Sequence, residues 1–350
     1  MRAAVVAALL AAPAAAAAQG DTGSVMLRDV KFASGESLAV VRIHYRTLGA
    51  PRRDAAGHVA NAVLILHGTG GSGDQFLSPL FAPEMYGAGQ PLDTATHYVI
   101  LPDNIGHGRS SKPSDGLHAR FPHYGYDDMV ALQYRLLTEG LHVDHLRAVM
   151  GTSMGCMHAW IWAERHPGFV SGIVPLACLP TQIAGRNRMM RRMILDDIRT
   201  DPEWRGGEYT TQPRGLTAAL QLLFMMTSSP RVQQRAGPTR DSADAWITTW
   251  LAGRTAATDA NDLLYQFDAS RDYDPSSGLA AISIPVLAIN SADDVVNPPE
   301  LGIMERLMPR VQRGRYVLIP TGPLTRGHGT HTVAAAWTSY VGPFLAGLAR

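Results

Sequence analysis

One serine in this sequence has the surroundings of a catalytic nucleophile. Residues 151–155 have the form G-x-S-x-G, with Ser153 at the centre. An apolar run, 146–150, precedes them and an amphipathic run, 156–163, follows, which predicts a strand, a tight turn and a helix. Such a turn exposes the hydroxyl group, and the two glycines let neighbouring backbone approach where a side chain would clash. We therefore interpret Ser153 as a nucleophile and not as part of an ordinary glycine-rich turn.

A serine hydroxyl is a poor nucleophile on its own, so it requires a base, and the base requires a group that orients it. Two acidic residues, Asp293 and Asp294, come directly after the apolar run 286–289. The end of a late strand is where an orienting carboxylate is expected. We favour Asp294 over its neighbour, because it stands four residues before Pro298, a spacing common in folds of this kind.

The base is expected to be a histidine still later in the chain. Two histidines, His328 and His331, follow the apolar run 316–319. We favour His328, because it lies between two glycines in a loop. We expect His331 to begin the last helix, as a surface or capping residue. The sequence thus predicts a relay in which Asp294 orients His328 and His328 activates Ser153.

Backbone N–H groups near the serine are expected to stabilise the oxyanion of an acyl-transfer reaction. One belongs to Met154, directly after the serine. The other is expected from the glycine-rich loop 67–73, where Thr69 is the best candidate. This loop lacks the Gly-Lys-Ser/Thr ending of a phosphate-binding loop, so we do not interpret it as a nucleotide site.

Nothing else in the sequence indicates a cofactor, a metal or a macromolecular partner. The chain has 13 histidines and 30 acidic residues but no H-E-x-x-H or comparable metal-binding spacing. Its formal net charge is +1 and its basic residues are scattered, which disfavours nucleic acid and acidic surfaces as partners. We expect a small ester or acyl substrate and no cofactor. The two cysteines, Cys156 and Cys178, are expected to be buried thiols, although a bridge is permitted.

The elements that must position these residues follow from the hydrophobic pattern. Residues 25–49 alternate apolar and polar residues, as antiparallel strands do. Short, nearly continuous apolar runs then alternate with helical stretches, which predicts an α/β fold with a mostly parallel sheet covered on both faces. These predicted strands are residues 62–66, 98–101, 148–150, 173–177, 286–289 and 316–319.

The chain divides into four predicted segments. Residues 1–18 have a basic start, a short apolar run and an A-x-A site, which is typical of a secretory signal peptide. No later run is long and apolar enough for a membrane span, so we expect an exported protein, periplasmic or secreted. Residues 19–180 and 280–350 are expected to form the α/β core. Residues 181–279 contain no convincing strand and are expected to form a helical cap, whose Met- and Arg-rich stretches we interpret as packing.

Motifs spread along the chain carry a resemblance to one family. They occupy residues 35–49, 121–130, 151–157, 201–209, 259–265 and 327–328. Together they cover most of residues 30–345 and resemble the homoserine O-acetyltransferase family of α/β-hydrolase-fold proteins. The resemblance implies an α/β-hydrolase fold, a Ser153–Asp294–His328 triad, a helical cap and a homodimer formed through that cap.

The sequence departs from this family where function is concerned. The family carries an aspartate directly after the catalytic histidine, where it helps to hold the amino-acid acceptor, and here that residue is Gly329. Cys156 replaces a glycine of the elbow, and the loop 106–113 looks more like that of general ester hydrolases. A signal peptide would also place the protein where acetyl-CoA is not expected.

Three hypotheses follow. The first is an exported serine acyl-hydrolase that acts through an acyl-enzyme, with activity falling as the pH drops through about 6 to 7 because a protonated histidine cannot act as base. The second is an O-acyltransferase of the homoserine O-acetyltransferase type. The third is a non-catalytic binding protein on a hydrolase scaffold, which requires Ser153 and His328 to lie far apart.

Overall fold

A computed structural model describes residues 20–348 of the chain. The predicted signal peptide therefore lies outside the described residues. The strands are β1 (Asp21–Lys31), β2 (Ser37–Leu48), β3 (Ala62–Leu66), β4 (Tyr98–Pro102), β5 (Ala148–Thr152), β6 (Ile173–Leu176), β7 (Val286–Ser291) and β8 (Gly314–Ile319). They form one sheet in the order β1-β2-β4-β3-β5-β6-β7-β8. The first two pairings, β1 with β2 and β2 with β4, are antiparallel, and the rest are parallel.

Ten α-helices lie among the described residues. They are α1 (Ala82–Met85), α2 (Tyr126–Arg135), α3 (Met154–Arg165), α4 (Gly185–Arg199), α5 (Arg214–Thr227), α6 (Pro230–Ala236), α7 (Arg240–Ala257), α8 (Ala260–Asp268), α9 (Ile303–Leu307) and α10 (Thr338–Ala346). No helix between residues 20 and 348 is long and apolar enough to cross a membrane.

The hydrophobic pattern explains the sheet. Every residue of β3, β4, β5, β6 and β7 is buried, because helices pack on both faces of these strands. Their sequences are accordingly almost continuous in apolar residues. The strands β1 and β2 lie at one edge, where burial is partial and polar residues alternate with apolar ones. The prediction of a mostly parallel α/β sheet with an antiparallel opening is confirmed.

The segment between β6 and β7 is helical and contains α4 to α8. One asparagine, Asn261 at the start of α8, joins the two motifs that carry the family resemblance there. Its side chain accepts a hydrogen bond from the Trp204 indole (2.8 Å) and donates one to Gly207 O (3.0 Å). Its backbone N–H donates to the Tyr209 hydroxyl (3.1 Å). Helix α8 also holds this segment to the core, since Asp262 accepts two hydrogen bonds from Ser114.

The two cysteines form a disulfide bond, so the expectation of two buried thiols is wrong. Cys156 lies in the first turn of α3, and Cys178 lies two residues beyond β6. Because α3 packs against β6, the two Cα atoms are 5.9 Å apart, a separation that a disulfide spans. The bond fastens the helix that follows Ser153 to the end of the neighbouring strand.

Buried polar side chains connect α2 and α3. Gln133 donates hydrogen bonds to Asn104 Oδ1 and to His158 Nδ1 (3.1 Å), and its carbonyl accepts one from the Trp162 indole (2.7 Å). His158 is completely buried. Burial, with a smaller contribution from His67, lowers the pKa of His158 to about 3. The ring is therefore neutral in the folded protein at neutral pH.

Acid is expected to destabilise the protein partly through His158. In the unfolded chain a histidine binds a proton near pH 6.5, its ordinary value, whereas the folded state excludes that proton until about pH 3. The contribution to the free energy of unfolding is thus complete above pH 6.5 and is lost as the pH falls, by up to about 1.4 kcal/mol per pH unit. Urea unfolding of wild type and His158→Leu at pH 7 and pH 5 measures it. From pH 7 to pH 5 the free energy of unfolding of the variant should fall by about 2 kcal/mol less than that of the wild type. Equal decreases in the two proteins would contradict the assignment to His158.

Candidate active site

The residue between β5 and α3 is Ser153, at the apex of a tight turn. Its backbone has φ 53° and ψ −109°, which a residue with a side chain adopts only at a cost. The two glycines of the motif are required because a side chain at either position would clash with neighbouring backbone. A Cβ atom on Gly151 would lie 1.9 Å from Gly155 O, and one on Gly155 would lie 2.0 Å from Leu66 O. The turn therefore holds Ser153 in a strained conformation that presents its hydroxyl above the sheet.

The structure brings together the three side chains chosen from the sequence. Ser153 Oγ lies 2.8 Å from His328 Nε2, and His328 Nδ1 lies 2.9 Å from Asp294 Oδ2. All three residues are buried, with exposed fractions of 8%, 7% and 2% in the same order. This geometry suits a neutral imidazole that donates Nδ1–H to the carboxylate and accepts the serine proton at Nε2.

The carboxylate of Asp294 is held in its ionised form by its neighbours. Burial alone would raise its pKa, but the electrostatic interaction and hydrogen bond with His328, together with hydrogen bonds from Asn297 and Val296, bring the pKa below its ordinary value. Oδ1 accepts hydrogen bonds from Val296 N (2.8 Å) and Asn297 N (3.2 Å), and Oδ2 accepts one from Asn297 Nδ2 (3.1 Å). The carboxylate is thus fixed in orientation as well as in charge.

The neighbouring acid, Asp293, has a different place. Its Oδ2 accepts a hydrogen bond from Gly327 N at 2.9 Å, and within residues 20–348 no hydrogen bond joins it to the imidazole of His328. Since Gly327 directly precedes His328, this bond holds the loop that carries the histidine. The structure therefore brings Asp294, and not Asp293, to the histidine.

The glycine-rich loop after β3 lies directly beside the serine. A Cβ atom on Gly68 would lie 3.3 Å from Ser153 Cβ, so the loop backbone passes close to the hydroxyl. The ring of His67 fixes the base of the loop, because it contacts Gly68 O (2.9 Å) and accepts a hydrogen bond from Asn104 N (3.1 Å). Met154 is the first residue of α3, so its N–H has no acceptor within the helix.

Comparison with known proteins shows to which fold family the chain belongs. Residues 61–321 match the model of the alpha/beta hydrolase fold family. The chain belongs to the α/β-hydrolase fold family. It is 30% identical over 304 residues to a homoserine O-acetyltransferase of Haloarcula marismortui (strain ATCC 43049 / DSM 3752 / JCM 8966 / VKM B-1809), which covers 73% of this chain and 72% of that one.

Solved α/β hydrolases of two named activities share the fold equally well. Esterase E22 superimposes with a TM-score of 0.81 at 22% identity, covering 93% of this chain and 100% of its own. Homoserine O-acetyltransferase from Bacillus anthracis also has a TM-score of 0.81, at 21% identity, with 95% of this chain and 99% of its own covered. This α/β hydrolase is accordingly an acyl-transfer or hydrolase enzyme, and the fold does not separate the two activities.

A cavity of about 320 Å³ lies over the serine of this α/β hydrolase. Its walls come from the glycine-rich loop, the helices α4, α5, α7 and α8, and the histidine loop: Gly68, Thr69, Gly70, Gly71, Gln75, Ser153, Arg191, Leu223, Met226, Thr227, Arg254, Phe267, Val296, His328, Gly329, His331 and Thr332. The volume is at the lower end of the range for small-molecule sites, about 300–1,000 Å³. Thr69, the residue chosen for the oxyanion site, is therefore next to the space where a substrate carbonyl would bind.

The prediction for His331 is wrong. The residue lies in a short 3₁₀ turn, Gly329–Thr332, and lines the cavity with its ring 5.2 Å from that of His328. Burial, with a smaller contribution from the neighbouring histidine, lowers its pKa to about 3, so it is neutral. The last helix begins only at Thr338, because Trp337 is buried against Phe81 and the chain turns to place it there.

Two arginines of the cavity were missed by reasoning from the sequence. Arg191 lies in the Met- and Arg-rich stretch that was interpreted as packing, and Arg254 lies on α7. The sequence did carry a signal for Arg191. It follows Met190 directly, and both residues lie on the buried face of α4. For Arg254 the sequence offers no such signal, because α7 has no fully buried residue.

Proposed function

We propose that this protein is an exported serine acyl-hydrolase in which Ser153, His328 and Asp294 form the catalytic triad. The observation that carries the proposal is the continuous pair of contacts, 2.8 and 2.9 Å, from the strained serine through the imidazole to the carboxylate. The third hypothesis, a binding protein without catalysis, required the serine and the histidine to lie apart, and they are in contact.

The geometry supports a two-step reaction through an acyl-enzyme. Ser153 Oγ attacks the ester carbonyl as its proton passes to His328 Nε2, and the oxyanion accepts hydrogen bonds from the N–H groups of Thr69 and Met154. The histidine then gives the proton to the leaving alcohol. In the second step a water molecule attacks the acyl-enzyme carbonyl as its proton passes to His328 Nε2. When the tetrahedral intermediate collapses, His328 returns this proton to Ser153 Oγ and the acid leaves.

A second candidate is transfer of the acyl group to an alcohol acceptor. The named activity of the Haloarcula marismortui relative, together with the cap motifs joined through Asn261, favours it. Water and an alcohol would compete for the same acyl-enzyme. Gly329 stands next to the proposed catalytic histidine and carries no side chain that could hold an amino-acid acceptor. For this reason we place hydrolysis first.

Export and assembly are part of the proposal. Cleavage after Ala18 would release the mature chain to the periplasm or the medium, away from acetyl-CoA. The helical segment 181–279 is proposed to act as a cap over the α/β core, and the family resemblance supports a homodimer formed through it.

The share of acetyl groups that passes to water and the share that passes to homoserine decide between the hydrolase and the acyltransferase. Purified mature protein is expected to hydrolyse p-nitrophenyl acetate, and added homoserine should capture only a minor share of the acetyl groups. Homoserine acetylation from acetyl-CoA should be slower than ester hydrolysis. Mass spectrometry of acetate and O-acetylhomoserine measures both products, with Ser153→Ala as the blank. Homoserine turnover well above ester hydrolysis would reverse the order of the two candidates.

A further inference from the structure

The cavity over Ser153 contains a cation that the protein does not neutralise. Arg254 reaches from α7 to the glycine-rich loop, where a Cβ atom on Gly70 would lie 3.7 Å from its Nη2. Its Nε is buried and has no hydrogen-bond partner among residues 20–348. Burial lowers the pKa of Arg254, and no neighbouring carboxylate raises it. The Trp250 ring, with its centroid 5.9 Å from the guanidinium carbon, is an uncharged neighbour.

A second arginine of the cavity is held by neutral groups only. Arg191 is 2% exposed and donates hydrogen bonds to Asn187 Oδ1 (3.0 Å) and Ser270 Oγ (3.1 Å). Its guanidinium lies 5.2 Å from the centroid of the Phe267 ring. Within the described part of the chain, neither this arginine nor Arg254 forms an ion pair.

Two acidic residues line a space next to Arg254, but both already accept hydrogen bonds from other groups. Asp259 and Asp262 line an adjoining chamber together with Arg254. Asp259 accepts hydrogen bonds from the backbone at the start of α8 and from Gln212. Asp262 accepts two from Ser114. Arg191 is removed from water and Arg254 is partly removed, and a cation that is desolvated without a counter-charge is costly. A ligand that brings an anionic group would relieve that cost.

The position of Arg254 indicates whether its anionic ligand belongs to the acyl part or to the alcohol part of the ester. His328 must give its proton to the leaving oxygen, so the alcohol lies against the histidine wall of the cavity. Arg254 lies beside the glycine-rich loop, where it also lines the adjoining chamber of about 390 Å³ with Gly70 and Gln75. The lining of that chamber includes neither Ser153 nor His328. An anion bound there would belong to the acyl group.

We propose that the acyl group of the substrate carries a carboxylate, so that the substrates are monoesters of dicarboxylic acids, and that Arg254 binds this carboxylate with support from the positive charge of Arg191. The proposal rests on the proposed ester hydrolysis. The planar guanidinium matches a carboxylate in a paired hydrogen-bond geometry, which a neutral acyl chain cannot use.

Two esters with the same leaving group and the same five-carbon acyl chain test the proposal: the p-nitrophenyl monoester of glutaric acid and p-nitrophenyl pentanoate. The ratio of their kcat/KM values, corrected for spontaneous hydrolysis, should favour the glutarate ester in the wild type. Arg254→Met should lower this ratio by about 10- to 100-fold, the loss expected for a charge-assisted hydrogen bond. Arg254→Lys should restore part of it. Arg240→Met, at the exposed start of α7, is the matched control and should leave the ratio unchanged.

A second pair of substrates, 4-carboxyphenyl acetate and phenyl acetate, places the carboxylate on the alcohol side. Their ratio should not respond to Arg254→Met, and a response confined to this pair would overturn the placement on the acyl group. The wild type alone gives an independent measurement. Glutarate should inhibit hydrolysis of the pentanoate ester at least about tenfold more strongly than pentanoate does, since only glutarate brings the second carboxylate.

Failure of this proposal can be told apart from failure of the hydrolase assignment. Hydrolysis that depends on Ser153, with equal kcat/KM for the glutarate and pentanoate esters and equal inhibition by the two acids, would overturn the carboxylate site alone. Absence of any hydrolysis that depends on Ser153 would overturn the hydrolase assignment itself.

Discussion

Replacement of Ser153 by alanine is expected to lower kcat for ester hydrolysis by about 10⁵- to 10⁶-fold, the loss seen when a triad nucleophile is removed. The cause is that no acyl-enzyme can form, while the cavity and the backbone N–H groups remain. Steady-state kinetics with p-nitrophenyl pentanoate measure the effect. The variant should still fold, because the hydroxyl makes only the contact with His328 in the described structure.

The control for this prediction is Ser37→Ala. Ser37 is exposed at the start of β2, far along the sheet from β5, and its loss should leave kcat unchanged. Ester hydrolysis by Ser153→Ala at a rate near that of the wild type would show that another group carries the reaction.

Replacement of Asp294 by asparagine is expected to lower kcat by about 10⁴-fold, because the imidazole would then be held in the wrong tautomer. The amide cannot accept the Nδ1–H of His328 at its nitrogen, nor stabilise the imidazolium that forms during the reaction. The adjacent residue is the matched control. Asp293→Asn changes the same functional group one position away, where the carboxylate holds Gly327 and not the histidine.

The expected result is a wide separation between these two variants. Asp293→Asn should lose no more than about tenfold in kcat, since an asparagine oxygen can still accept the bond from Gly327 N. Kinetics of both purified variants, with circular dichroism to compare their folding, measure the separation. Equal losses, or a larger loss for Asp293→Asn, would contradict the assignment of Asp294.

The sheet could be predicted from the sequence because its strands are short apolar runs covered on both faces. The predicted strand at residues 62–66 is β3 as observed, and the other predicted strands differ from the observed ones by a few residues at their ends. Chain order was enough to nominate a serine, an acid and a histidine. The choice between Asp293 and Asp294 rested on the distance to Pro298, whereas the structure supplies the physical basis in the hydrogen bonds from Asn297 and Val296.

Features that depend on packing between distant segments could not be predicted. Nothing in a separation of 22 residues indicates that Cys156 and Cys178 meet, since this follows from how α3 packs on β6. The position of Arg254 beside the glycine-rich loop depends on how α7 packs against α5. Likewise, His331 was expected to begin a helix because the burial of Trp337, which delays that helix, is a tertiary contact.

The most direct measurement is the site of covalent labelling by a fluorophosphonate, which reacts with activated serines. After reduction of the disulfide and digestion with trypsin, Ser153 lies in the peptide of residues 148–165, where it is the only serine. A triad centred on Ser153 predicts one adduct on this peptide in the wild type, with activity lost in proportion to labelling, and no adduct in Ser153→Ala. An unlabelled peptide in an enzyme that hydrolyses esters, or inactivation with the adduct on another serine, would contradict it.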